Sequence, residues 1–319
     1  MALKWKSKII LLKMETDYRV DPTPAGGNGM LMTDVQLRPM EGQDVSRDLE
    51  TPYRGAQEVM PVGIYCVLTG KIELVPSGTA GVVPAWGPAM RTLGCAEVIV
   101  EDTSVAYHPI TDSNESSYIK FWIGGSGTGN GNLHKIEGVR GDGVMRWPAQ
   151  GLPYLEVTFT GLYGGVAEAA RIAPTLTGFK RPRVVSQANT PVFSIDDVDM
   201  VMRTFALAMR NDVQPRLLVG SEEVLIVDSA DQITTQVEML PLSDFNPFDL
   251  ALADEAASLV PVAIQHGTAD GFITALSAPH CQLQRPSGFQ NNQGIAEQVH
   301  VLNALPSSAG NDQWTLTLT

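Results

Sequence analysis

Cysteine is scarce and poorly placed for chemistry. Cys66, Cys95 and Cys281 are odd in number, far apart and without a C-x-x-C pair. That argues against a disulfide framework or a zinc module and reads as reduced core thiols. Long hydrophobic runs are missing as well. The lysine-bearing start holds only Ile9 to Leu12 as an apolar run, which is shorter than the apolar region of a signal peptide. No stretch approaches the length of a membrane helix. Such a chain is expected to be made in, and to stay in, a reducing cytoplasm. Positive charge is in deficit: 22 Lys and Arg against 35 Asp and Glu leave a net charge of −13. That disfavours an electrostatic grip on a nucleic-acid backbone.

Catalytic patterns are also missing. None of His108, His134, His266, His280 and His300 forms an H-x-x-x-H pair. Only His280 and Cys281 are adjacent, and neighbouring strand residues point to opposite faces, so the two cannot share one ion. "GGSGTGNGN" (Gly124 to Asn132) superficially matches a phosphate-cradling loop. It leads into the strand-like "LHKIEGV" and not into the helix such a loop must open, so it reads as a flexible hairpin tip. There is no G-x-S-x-G elbow. "IDDVD" (Ile195 to Asp199) reads as a solvated turn, because a calcium loop needs more ligands and a fixed glycine. No catalytic, cofactor-binding or metal-binding residue is assigned, and the chain is not read as an enzyme.

What is present is alternation. "YLEVTFT" sets Leu155, Val157 and Phe159 against Glu156, Thr158 and Thr160, and the terminal "WTLTLT" sets Trp314, Leu316 and Leu318 against threonines. Strict alternation gives a strand one apolar and one polar face. A hydrophobic fraction of 44% argues against disorder, while 30 Gly and 21 Pro point to many turns and few long helices. The order of elements recurs. "NGMLMTDVQL" (28–37) resembles "VDMVMRTFAL" (198–207), and "KIELVP" (71–76) resembles "QVEMLP" (236–241). Helix signals follow each, at Pro84–Cys95 and at Asn246–Ala257, the second with an Asn cap and Pro at its first position. "SVAYHP" (104–109) then matches "PVAIQH" (261–266), and "SYIKFWI" (117–123) matches "GFITALS" (271–277). "YLEVTFT" and "WTLTLT" are expected to close the two blocks. The reading is a duplication: a mainly β chain of two β-sandwich modules, each with one short flanking helix. The modules span residues 1–178 and 191–319, joined by a linker at 179–190.

These pieces, in order, resemble a known family. "DPTPAGGNGMLMTDVQLRPMEGQDVSRDLETPY" (21–53), "GTAGVVPAWGPAMRTLG" (78–94), "VTFTGLYG" (157–164), "RLLVGSEEVLIVDS" (216–229) and "LNALPSSAGNDQWTLTLT" (302–319) resemble the major tail-tube protein of long-tailed, non-contractile bacteriophages. The resemblance implies two tandem tail-tube-like β-sandwich modules. It implies a structural virion protein that oligomerises into stacked rings, a conduit for double-stranded DNA ejection, assembled in the host cytoplasm. The implied partners are the chain itself, rings above and below, the tape-measure protein and passing DNA in the lumen, and the tail terminator and distal tail proteins. No cofactor and no membrane are implied. Two modules per chain suggest a ring of three chains with pseudo-sixfold symmetry; a homohexamer is the alternative. The rival function is a tandem β-sandwich module for carbohydrate or surface recognition.

Two residue sets follow. The segment from Met40 to Val59 interleaves Arg47 and Arg54 with Asp44, Asp48, Glu50 and Glu58. It is either a solvated loop or, as the resemblance implies, a reach onto the neighbouring ring, with "NDVQPRLLVGSEEV" (211–224) as its more apolar counterpart. The strands carrying Leu155, Val157, Phe159, Trp314, Leu316 and Leu318 are expected to be completed by a sheet, within the subunit or between subunits. A lumen that lets DNA slide is expected to be acidic or neutral, since each lysine or arginine meeting a phosphate would add an attractive contact.

Overall fold

Alternation turns into strand along most of the chain. The computed structural model describes residues 4–112, 115–125, 127, 129–252 and 259–319. In chain order the first half holds β1 (Lys8–Met14), β2 (Thr33–Ser46), β3 (Val59–Glu73), α1 (Gly87–Thr92), β4 (Cys95–Val100), β5 (Ser104–Pro109), β6 (Ser117–Ile123), β7 (Asn130–Pro148) and β8 (Tyr154–Ala170). The second holds β9 (Val192–Ile195), β10 (Val198–Asp199), β11 (Met202–Ala208), β12 (Asp212–Leu218), β13 (Ser221–Asp228), β14 (Gln232–Glu238), α2 (Pro247–Leu252), β15 (Leu259–His266), β16 (Thr274–Leu283), β17 (Phe289–Asn292), β18 (Ile295–Ala304) and β19 (Thr315–Leu318). The fold is mainly β, and every pairing between these strands is antiparallel.

Apart from β12 and β13, which pair with each other as a separate hairpin, the strands form two layers. One runs β2-β3-β8-β7-β11-β14-β18-β17. The other runs β4-β5-β19-β16-β15-β9-β10. β1 and β6 extend from the first part of β7, and the end of β16 ties the layers together by pairing with β18. Each layer contains strands from both halves. The alternate residues that point inward meet in a main core shared by both halves: Leu155, Phe159, Trp147, Phe205, Ile233, Leu316 and Trp314 belong to the same buried cluster, while Ile9, Leu11, Trp122 and Leu133 form a smaller one within the first half. Burying each such side chain stabilises the fold by about 1.5–3 kcal/mol, and the main cluster draws on both halves. Residues 179–190 carry no helix or strand. Val185 among them is nonetheless buried and exchanges backbone hydrogen bonds with Gln150 and Gly151.

Both helices form within the expected stretches, at Gly87–Thr92 in the first and, among the described residues, at Pro247–Leu252 in the second. Asn246 accepts bonds from the backbone N–H groups of Phe248 and Asp249 at 3.1 and 3.3 Å, and Pro247 occupies the first helical position, which lacks an N–H to satisfy. Residues 253–257 of the expected helix lie outside the described residues. Just past α1, Leu93 presses onto β7, where a Cβ added at Gly143 would stand 2.5 Å from its methyl. Glycine there permits the close approach.

The pairing register recurs between the halves and corrects the sequence matches. Leu37 faces Leu68 as Leu207 faces Ile233. Leu68 in turn faces Phe159, as Ile233 faces Leu302. A bulge interrupts β2 after Thr33 and β11 after Met202. Leu12 faces Ile119 and Ile119 faces Ile136; correspondingly Ile195 faces Val262 and Val262 faces Ala278. Thus β1, β2, β3, β6, β7 and β8 correspond to β9, β11, β14, β15, the β16–β17 pair and β18. The matches of residues 28–37 with 198–207 and of 71–76 with 236–241 fall on equivalent positions. "YLEVTFT" does not correspond to "WTLTLT": its counterpart is β18. Likewise "PVAIQH" stands in the place of β6, not β5, and "GFITALS" stands at the start of the counterpart of β7.

Candidate self-association surface

The joint between the halves is a run of sheet pairing. Val144 to Pro148 of β7 lie opposite Thr204 to Ala208 of β11, with Met145 facing Leu207 and Trp147 facing Phe205. The Trp147 and Phe205 rings meet edge-on at 5.7 Å, a favourable aromatic geometry. Among the described residues both ends of this eight-strand layer are open: β2 pairs only with β3, and β17 only with β18. An open edge presents unpaired N–H and C=O groups, a template for another strand. β17 itself escaped the sequence reading. Its signal was the Gln293–Gly294 turn, whose positive φ angles of 57° and 87° are those of a two-residue hairpin.

The outward face of the layer is polar and charge-paired. Lys71 bridges to Asp34 at 3.2 Å and to Glu156 at 3.8 Å. Arg146 reaches the same Glu156 at 2.7 Å. Arg203 grips Glu297 through Nε at 2.7 and 2.9 Å, and Gln236 and Asn292 donate to that carboxylate at 2.7 and 2.9 Å. These hydrogen bonds, led by Arg203, hold the Glu297 carboxyl below its usual range. Arg38, nearer the edge, pairs with Glu41 at 3.5 Å. Thr69, Thr158 and Thr234 occupy the same face.

The predicted residue sets fall in different places. β2 runs to Ser46 and β3 begins at Val59, so the segment 40–59 is the outer part of a long hairpin and not a free loop. Asp44 lies on β2, while Arg47, Asp48, Glu50, Arg54 and Glu58 form its tip. All six are exposed; Arg47 pairs with Glu58 at 3.1 Å, and the others make no ion pair among the described residues. Met40, Val45, Leu49, Tyr53, Val59, Met60 and Val62 of the same hairpin are also exposed. Its counterpart, β12–β13, instead lies against the first half. There the Val224 N–H donates to the Tyr18 hydroxyl oxygen at 2.8 Å, and the Val224 carbonyl accepts from Arg140.

Leu155, Val157 and Phe159 are core residues of β8, between β3 and β7. Leu316 and Leu318 are core residues of β19, which is flanked on both sides within the chain: Leu316 faces Tyr107 of β5 and Leu276 of β16. Trp314, just before β19, donates its indole N–H to Asp231 at 2.8 Å. The two line a cleft of about 560 Å³ between the halves. In "IDDVD", Asp196 and Asp197 form the tight turn joining β9 to β10, at φ 55° and 58°. Among the described residues no group of three or more His, Cys, Asp or Glu is placed to hold a metal ion, and no helix is long and apolar enough to cross a membrane. The thiols of Cys66 and Cys281 are buried and pushed up to about 12 by that burial, which makes them poor nucleophiles. No family model matches the chain, and no match was found among curated proteins.

Proposed function

We propose that this chain is the building block of a tail tube of the non-contractile bacteriophage type: a structural protein that closes into rings, which stack into a conduit for DNA. The observation that carries the reading is the open layer. Eight strands, four from each half, form a sheet with one polar, charge-paired face and two edges unpaired among the described residues. Such edges are a hazard in a monomer and a means of closure in an oligomer. With strands about 4.8 Å apart and tilted roughly 40°, an eight-strand barrel has a backbone diameter of about 16 Å, filled by its own side chains. Three chains supply roughly 24 strands and a diameter of about 48 Å, which leaves an open lumen.

The polar face of the layer suits that lumen. Its Lys71, Arg146 and Arg203 are each paired with a carboxylate, so they offer passing phosphates little unopposed charge. The exposed hairpin tip at 47–58 is then the contact between stacked rings. A carbohydrate-binding module is less well supported: Trp86, Trp122, Trp147 and Trp314 are buried, leaving Trp5 alone exposed among the tryptophans. Negative-stain imaging of the purified chain at high concentration is the test. Rings of three chains or stacked tubes are expected; dispersed monomers at all concentrations and salt conditions would overturn the proposal.

A further inference from the structure

The internal repeat specifies how one copy meets the next. Within the chain, β11 pairs with the last five residues of β7. The counterpart of β11 is β2, and the counterpart of the end of β7 is β17. Both are the open edges of the layer. We infer that β2 of one copy pairs antiparallel with β17 of a second copy, in the register of the joint between the halves.

The register is fixed by three correspondences. Leu207 corresponds to Leu37 through their partners Ile233 and Leu68. Phe159 of β8 corresponds to Leu302 of β18 through those same partners. Counting back four residues along each strand, Leu155 corresponds to Gln298. Met145 faces Leu155 and Phe289 faces Gln298, so Met145 corresponds to Phe289. The contact of Leu207 with Met145 therefore becomes Leu37 with Phe289 between copies. Ala206 opposite Arg146 becomes Gln36 opposite Gln290, and Phe205 opposite Trp147 becomes Val35 opposite Asn291.

Exposure agrees with this placement. Met145 is fully buried, whereas Phe289 is 66% exposed. A large aromatic on an open strand lacks the cover that its counterpart receives from Leu207, and Leu37, half-buried on the other edge, supplies it. Gln36 and Gln290 are exposed on the polar face, where their amides can pair across the joint. Each copy has one edge of each kind, so the contact is head-to-tail and must close into a ring or run on as a filament. Three copies give six equivalent joints, alternating between joints within a chain and joints between chains.

This inference rests on the assembly reading and adds the strands, the register and the partner. It is tested by cross-linking. Directly opposed residues in an antiparallel pair have Cα atoms about 4.5–5.5 Å apart, within disulfide range, and diagonal neighbours are beyond it. The native thiols are buried and do not compete. The double variant Gln36→Cys, Gln290→Cys is expected to give covalent trimers on oxidation, reversed by reductant, at least tenfold above the shifted control Arg38→Cys, Gln290→Cys. Phe289→Asp, an exposed position, is expected to reduce assembly at least tenfold with an unchanged melting temperature. Tubes that form without the matched cross-link, a shifted control that links as well, or unaltered assembly by Phe289→Asp would overturn the inference and leave the tail-tube proposal standing. Covalent trimers that never stack would keep the inference and sink the tube. Neither cross-link nor assembly would overturn both.

Discussion

The indole N–H of Trp314 donates to Oδ1 of Asp231 at 2.8 Å, and both residues are buried. Burial outweighs this bond and pushes the Asp231 carboxyl up to about 6 from an ordinary 3.8. A carboxyl raised in the folded state contributes stability below pH 3.8 and loses it as pH rises through 6. At neutral pH the charged form costs about 3 kcal/mol. Asp231→Asn keeps an acceptor for the indole and removes the charge. We expect it to stabilise the protein at pH 8 and to change little at pH 4, measured by chemical denaturation at both.

His300 has the opposite dependence. It sits on the core face of β18 against the Phe245 ring at 5.8 Å, and burial lowers its pKa to about 4 from 6.5. Stability from a neutral buried histidine is present above pH 6.5 and is lost as pH falls towards 4, by about 3 kcal/mol in total. Replacing His300 with leucine should flatten that acid limb. An acid limb as steep in His300→Leu as in the wild type would show that other groups set it.

Trp314 anchors the end of the second layer. Because β19 is paired on both sides within the chain, its loss is a folding defect before it is an assembly defect. Trp314→Ala should cost about 3–5 kcal/mol, typical of a large core side chain, and a variant lacking residues 314–319 should yield little folded subunit. A truncated chain with a wild-type melting transition would contradict this.

Much of the fold was legible because a strand with one wet face must alternate. "YLEVTFT", "WTLTLT" and the Asn246 helix cap were read directly, and two of the repeat matches fell on equivalent positions. Partner choice was not legible, since one alternating strand looks like another. β18 was hidden as the counterpart of β8 because its core face carries Gln298 and His300 where β8 carries Leu155 and Val157. The open edge at β17 was hidden because "FQNN" has almost no apolar pattern; only its turn marks it. Nothing in the sequence around Asp231 marks its burial beside Trp314, because a lone acidic residue outside a strand pattern carries no burial signal.

The hairpin tip gives a prediction of the other kind. Arg47 and Arg54 are exposed, and reversing exposed charges alters the stability of a subunit little. The double variant Arg47→Glu, Arg54→Glu should melt within a few degrees of the wild type yet stack poorly, read as short tubes or single rings in micrographs. Equal losses of melting temperature and of tube length would place the tip in the subunit's own stability.

The pairing of β5 with β19 joins Tyr107 to Leu316, and the pairing of β7 with β11 joins Met145 to Leu207. Contacts so distant in sequence close late and slowly. The repeats therefore do not behave as beads on a string: neither reaches its native layer until the other has collapsed against it, and unfolding should be a single cooperative event. Two nascent chains held close together can exchange these strands, each placing its β19 in the other's layer. The same complementarity that builds one subunit from two repeats makes domain swapping the characteristic error of this fold.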